Sequence, residues 1–137
     1  VTELACPSFL GLPREMSLAA GGTQVLTMHA DPVNAGQFHF VLGSITGTSP
    51  GITAGALTLP LNPDSYFFYT LSVPGQPPLS GQFGVVPPSG KKTVLFSLPP
   101  GLSGALAGLT FHHAWVVFDA FAVALEIGEA VALEILP

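Results

Sequence analysis

Sixteen glycines and fourteen prolines interrupt this chain of 137 residues. The apolar runs left between them recur at intervals of roughly eight to twelve residues, the spacing of an all-β sandwich or barrel. Glycine loses backbone entropy inside a regular element and proline removes a backbone donor, so long helices have little room. The strand-like runs are 23–29 (TQVLTMH), 37–43 (QFHFVLG), 56–60 (ALTLP), 66–73 (YFFYTLSV), 79–86 (LSGQFGVV), 92–98 (KTVLFSL), 109–118 (LTFHHAWVVF), 122–127 and 130–136. Val, Phe, Tyr, Thr and Leu dominate them, the residue types that fit a pleated surface. In 92–98, Val94, Phe96 and Leu98 fall on one face and Thr93, Leu95 and Ser97 on the other, as in a sheet with one buried face. Runs 66–73 and 109–118 are apolar on both faces, which suits central strands or strands at an interface. SGALAG at 103–108 reads as one short helical turn. Asn62-Pro63-Asp64 reads as a turn and PPSGKK at 87–92 as a hairpin loop. The expectation is a single-domain, antiparallel, jelly-roll-like β-sandwich over 17–137, preceded by an N-terminal segment, 1–16.

Only 8% of the residues are charged and 48% are apolar, against about 25% charged in an ordinary soluble domain. A chain of this length buries roughly two-thirds of its surface on folding, so the apolar excess implies either lipid or other protein as a cover. The uncharged stretches 32–63, 65–90 and 93–118 are all broken by Gly or Pro, and no continuous apolar helix of about 20 residues can be drawn. The strands are also too few and too mixed in pattern for a transmembrane barrel. Eight acidic residues against Arg14, Lys91 and Lys92 leave no basic patch for nucleic acid. The single cysteine, Cys6, excludes an internal disulfide and a multi-cysteine zinc site.

The chain begins at Val1 without a basic, apolar leader, as would an exported protein after processing or a chain trimmed at its start. There is no N-x-S/T glycosylation site.

No constellation in the sequence names a reaction. His112 and His113 are adjacent, so in a strand they point to opposite faces and cannot share an ion with Asp119; one of them belongs among Phe111, Trp115 and Val117. A hydrolase triad assembled from Ser80 or Ser97, a histidine and Asp119 or Asp31 lacks a G-x-S-x-G elbow. Glu126 and Glu134 read as outward-facing strand residues rather than a glycosidase pair. Asp31, Asn34, Asn62 and Asp64 could offer loop oxygens to Ca2+, but Asx turns explain them more simply. Aromatic platforms for a sugar would be Tyr66, Tyr69 and Trp115, of which Trp115 fits a core better. No cofactor and no catalytic residue is expected.

The segments GALTLPLNPDSYFFYTL, PPLSGQFGVV, FSLPPGLSGALAGLTFHHAWVVFD and EAVALEILP, in this order, resemble a β-rich domain that recurs in exported proteins of planctomycetes and similar bacteria. The likeness covers about residues 17–137. It implies export and an all-β fold, and it brings no activity or site residue.

The chain closes on AVALEI, Gly128-Glu129, and AVALEI again. A hairpin with a three-residue loop, 128–130, would pair Ile127 with Val131, Leu125 with Leu133 and Val123 with Ile135, so that six large side chains share one face. A two-residue loop would put the two sets on opposite faces. If the copies part company instead, their apolar faces need two different partners. An exposed edge of such a strand is a template for a strand from another chain, and VTELACPSF (with Val1, Leu4, Cys6 and Phe9) is a natural exchanged segment. The leading functional expectation is an extracellular structural protein that associates with itself into a surface layer or filament by strand addition. The alternative is a module that binds carbohydrate, such as cell-surface polysaccharide.

Overall fold

The computed structural model describes residues 8–102 and 104–137. Its first strands are β1 (Phe9–Leu12), β2 (Glu15–Ser17), β3 (Gly22–His29), β4 (Phe38–Ser44), β5 (Ile52–Ala54) and β6 (Leu57–Leu59). Helix α1 (Ser65–Ser72) follows, then β7 (Leu79–Ser80), β8 (Phe83–Val85), β9 (Lys91–Leu98), β10 (Thr110–Phe118), β11 (Ala124–Ile127) and β12 (Val131–Leu136). A four-stranded sheet in the order β1-β3-β9-β7 faces a six-stranded sheet in the order β2-β12-β10-β4-β8, with β11 also on β10. Pairing is antiparallel except between β12 and β2. The β5–β6 hairpin forms a small sheet of its own. The expected all-β sandwich is therefore observed, and no helix among the described residues is long and apolar enough to cross a membrane.

The main core lies between the two sheets. Leu26, Met28, Val94 and Phe96 of the smaller sheet meet Val41, Phe111, Trp115, Val117, Leu133 and Ile135 of the larger one. The alternation read in 92–98 is present: Val94 and Phe96 are buried, whereas Leu95 is exposed and the Ser97 hydroxyl pairs across the ladder with Thr23 (2.9 Å). His113 points into this core beside Phe111 and Trp115, and His112 is on the other face of β10. A second cluster, Leu42, Leu59, Leu61, Phe67 and Ala114, lies on the outer face of the larger sheet under α1 and the β5–β6 hairpin.

The terminal repeat does not form a hairpin. Both copies lie antiparallel along the same side of β10, end to end: Val131 opposite His113 and Leu133 opposite Phe111, then Ile127 opposite Val116 and Glu126 opposite Val117. Between those registers Gly128, Glu129 and Ala130 run opposite only Ala114 and Trp115, and one extra residue inverts the faces of everything beyond it. Val131, Leu133 and Ile135 consequently pack into the main core, while Ile127 packs on the second cluster. The two apolar faces do have different partners, and both are within the chain.

The Gly-Glu pair makes this junction possible. A Cβ on Gly128 would overlap the Trp115 indole, and the Gly128 N–H donates to the Trp115 carbonyl (3.0 Å). Glu129 and Ser8 bond reciprocally: Ser8 N–H to Glu129 Oε1 (3.0 Å) and Glu129 N–H to Ser8 Oγ (3.1 Å). The Ser8 carbonyl accepts from Trp115 Nε1 (3.0 Å). The start of β1 is thereby fixed to the far end of the chain.

Three sequence expectations are corrected. Residues 66–73 are a helix, not a strand. Asp64 caps it, Oδ1 accepting from the Phe67 N–H (2.8 Å), and the helix buries Phe67 and Thr70, three residues apart on one face. The aromatic and β-branched content suggested a strand, but an N-cap and a sheet face needing cover outweigh that preference. Residues 79–86 are not one strand: Gly81 turns the chain at a corner, so β7 joins the smaller sheet and β8 the larger. PPSGKK is accordingly a crossing between sheets rather than a hairpin loop.

Asp64 also organises the loop before the hairpin. Its Oδ2 accepts from Ser44 Oγ (2.8 Å), the Ile45 N–H (2.9 Å), the Thr46 N–H (3.0 Å) and Thr46 Oγ1 (2.8 Å). Replacing Asp64 with Ala removes the cap and leaves those donors unmatched. The expected loss is about 3 kcal/mol of unfolding free energy, measurable by urea denaturation monitored through Trp115 fluorescence.

Candidate functional site

Helix α1 and the β5–β6 hairpin cover only part of the outer face of the larger sheet. Helix α1 sits over the C-terminal end of β4. Its Phe67 packs on the outer cluster, whereas Tyr66 reaches round to the main core, where a Cβ on Gly43, opposite His113, would overlap its ring; the Gly43 N–H donates to Thr70 Oγ1 (3.2 Å). Phe40 of β4 borders that cover, and beyond it Phe38 of β4, Phe83 and Val85 of β8, and Phe118 of β10 share the outer face through the pairs Phe38–Val85, Phe40–Phe83 and Phe38–Phe118. The Phe38 and Phe83 rings lie 6.1 Å apart at 7°, and Phe118 completes a triangle at 5.7 and 6.2 Å. Phe83 and Val85 are 47% and 54% exposed. The result is an uncharged aromatic face open to solvent, of the kind that marks an interaction surface.

This face ends at an open sheet edge. Buried Gln82 locks β8 in place, its Nε2 donating to the Val41 carbonyl (2.8 Å) and the Thr70 carbonyl (2.7 Å), and its Oε1 accepting from the Gly75 N–H (3.0 Å). The Val41 N–H donates to the Gln82 carbonyl (2.9 Å), Val86 N–H to the Gln37 carbonyl (2.8 Å), and Gly36 N–H to the Val86 carbonyl (2.9 Å). Gln82, Gly84 and Val86 therefore turn their backbone groups toward β4. By the alternation of an antiparallel ladder, Phe83 and Val85 turn theirs outward. Among the described residues no strand pairs with that side of β8.

The aromatic ligand candidates separate. Trp115 is fully buried and cannot act as a platform. Tyr66 and Tyr69 line a cleft of about 360 Å³ with Ile45, Pro78, Leu98 and Leu109. Its walls are almost wholly apolar, and a sugar would find few donors or acceptors there. Behind it, Tyr66 Oη and His113 Nε2 are 2.7 Å apart. Burial pushes His113 down to about 3, with His112 adding to the effect. Burial also raises Tyr66 well above the usual phenol range, with Tyr69 and Asp64 contributing. The pair is a neutral phenol–imidazole contact inside the fold.

The other polar candidates serve local structure. Glu126, expected to face outward, accepts from the Asp31 N–H (3.0 and 3.1 Å) and Asn34 Nδ2 (2.9 Å). Asp31 Oδ1 accepts from Val33 N–H (3.0 Å), and Asn62 Oδ1 from Gly51 N–H (3.1 Å). Burial pushes the Asp64 carboxyl up, but hydrogen bonds from Phe67, Thr46, Ser44 and Ile45 outweigh it and hold it below the usual range. Among the described residues no group of three His, Cys, Asp or Glu side chains could hold a metal ion.

Of the residues expected to mediate self-association, Val1, Leu4 and Cys6 lie outside the described residues. Phe9 is buried in β1, and Leu133 and Ile135 are in the main core, with Val131 packed against it. Ile127 is partly buried, and Val123 and Leu125 are exposed. The Phe38–Phe83–Phe118 face was missed from the sequence. Its signal was the alternation of Phe38 with Phe40 and of Phe83 with Val85, which only the pairing of β4 with β8 brings together. No protein-family model matches this chain, and neither a curated protein nor a solved structure is detectably similar to it.

Because burial lowers His113, and to a smaller extent His39 and His112, the unfolded state takes up protons first as the pH falls. His113 therefore leaves stability intact above about pH 6.5 and removes about 1.4 kcal/mol per pH unit from there down toward pH 3. Asp64, lowered in the fold, acts in the same sense from about pH 4 downward. Urea titrations across this range should show that slope, and His113→Phe should flatten it.

Proposed function

We propose that this protein is an extracellular structural subunit, without catalytic activity, that associates with itself into a surface layer or filament. The observation that carries this reading is the uncharged aromatic face of Phe38, Phe83 and Phe118, adjoining exposed Val85. The low charge of the whole chain supports it, because so little surface can repel a second copy. The likeness to exported β-rich domains supports secretion. Strand addition is the mechanism most in keeping with an all-β fold that leaves an edge unpaired.

Sedimentation velocity and negative-stain electron microscopy over a hundredfold range of concentration test the reading. Larger species growing with concentration are expected. A monomer throughout would overturn it. Retention on polysaccharide that is lost on replacing Tyr69 would favour a carbohydrate-binding module instead.

A further inference from the structure

We infer that β8 pairs with β8 of a second copy, antiparallel about a two-fold axis through Gly84, to continue the larger sheet from one protomer into the next. This rests on the self-association proposed above and names one contact that makes it. The outward N–H and C=O groups of Phe83 and Val85 are arranged to receive a strand. A two-fold axis at Gly84 sets Phe83 opposite the second copy's Val85 and Val85 opposite its Phe83. Both are then narrow pairs that exchange two hydrogen bonds each, so every outward group on the two strands finds a partner. Gly84 meets its own copy at the wide pair, where side chains approach most closely, and it has none.

The side chains agree with the backbone. Phe83 and Val85 are on the outer face, so each packs beside the other's counterpart, and the two Phe38–Phe83–Phe118 triangles become one aromatic strip. Edge strands that avoid pairing carry a charge, a bulge or a proline. Residues 82–86, QFGVV, carry none, and Pro87-Pro88 limits the edge to this length. A second copy of this chain satisfies both the hydrogen-bond register and the uncharged face, because 83–85 is self-complementary about Gly84.

Single cysteines placed in a Cys6→Ser background test the register. An equimolar mixture of Phe83→Cys and Val85→Cys proteins, oxidised mildly, should give a mixed disulfide dimer, because narrow-pair Cα atoms lie about 5.5 Å apart. Either variant alone should not, since the axis separates identical positions. Val85→Pro deletes an outward donor without touching the bonds to β4, so it should keep the wild-type circular dichroism while weakening self-association about tenfold or more. If that variant does not fold, Val85→Lys gives the same readout. Wild-type protein that associates without forming the mixed disulfide, or that cross-links Phe83→Cys to itself, would overturn the β8 contact and leave self-association standing. Wild-type protein that stays monomeric would remove both.

Discussion

Three residues, Gly128, Glu129 and Ala130, run opposite two on β10, and both cores depend on that mismatch. Two identical hexapeptides offset by eight would present the same face along a regular strand. The extra residue inverts one of them, so the same letters fill the sandwich interior with Leu133 and Ile135 and back the outer cluster with Ile127. The bulge is held at each of its residues' scale of contact: Gly128 is the only residue type that clears the Trp115 indole, and Glu129 bonds reciprocally to Ser8. Since the Ser8 carbonyl also accepts from Trp115, the start of the first strand, the centre of β10 and the end of the chain are joined at one point.

The outer face is a compromise between covering and leaving open. A short helix and a hairpin shield the half of the sheet around Leu42 and Ala114, and they are anchored by two polar groups: the half-exposed Asp64 carboxylate with five donors and the buried Gln82 with three backbone partners. A buried polar group is costly unless satisfied, and Gln82 is satisfied by the very elements it holds down. Past the reach of that cover, the Phe38, Phe83 and Phe118 rings lie against one another and against solvent. Phenylalanine there contributes nothing to the main core, and the unpaired β8 edge lies beside it. The open face and the open edge are parts of one surface.

Much of the fold is legible in the residues. The alternation in 92–98 assigns Val94 and Phe96 to the core, and the adjacency of His112 and His113 sends them to opposite faces, as observed. The helix at 65–72 is less legible, because Tyr66, Phe67, Phe68 and Tyr69 fit a strand equally well; Asp64 as a cap was the available signal, and it reads as a turn residue until β4 is seen to need cover. The candidate site was hidden for a different reason. Phe38, Phe83 and Phe118 are far apart in sequence, and strand order is long-range information that local periodicity does not carry.

By itself, the sequence determined the class of the fold and, in 92–98, the side of the strand that meets the interior, because Gly and Pro spacing limits element length and period-two alternation sets the buried face. Only the tertiary structure decided how the duplicated strand is used, which strand is left at an edge and which aromatic side chains gather outside. Those outcomes depend on register along β10 and on the corner at Gly81, where a shift of one residue exchanges inside for outside and leaves the local pattern unchanged.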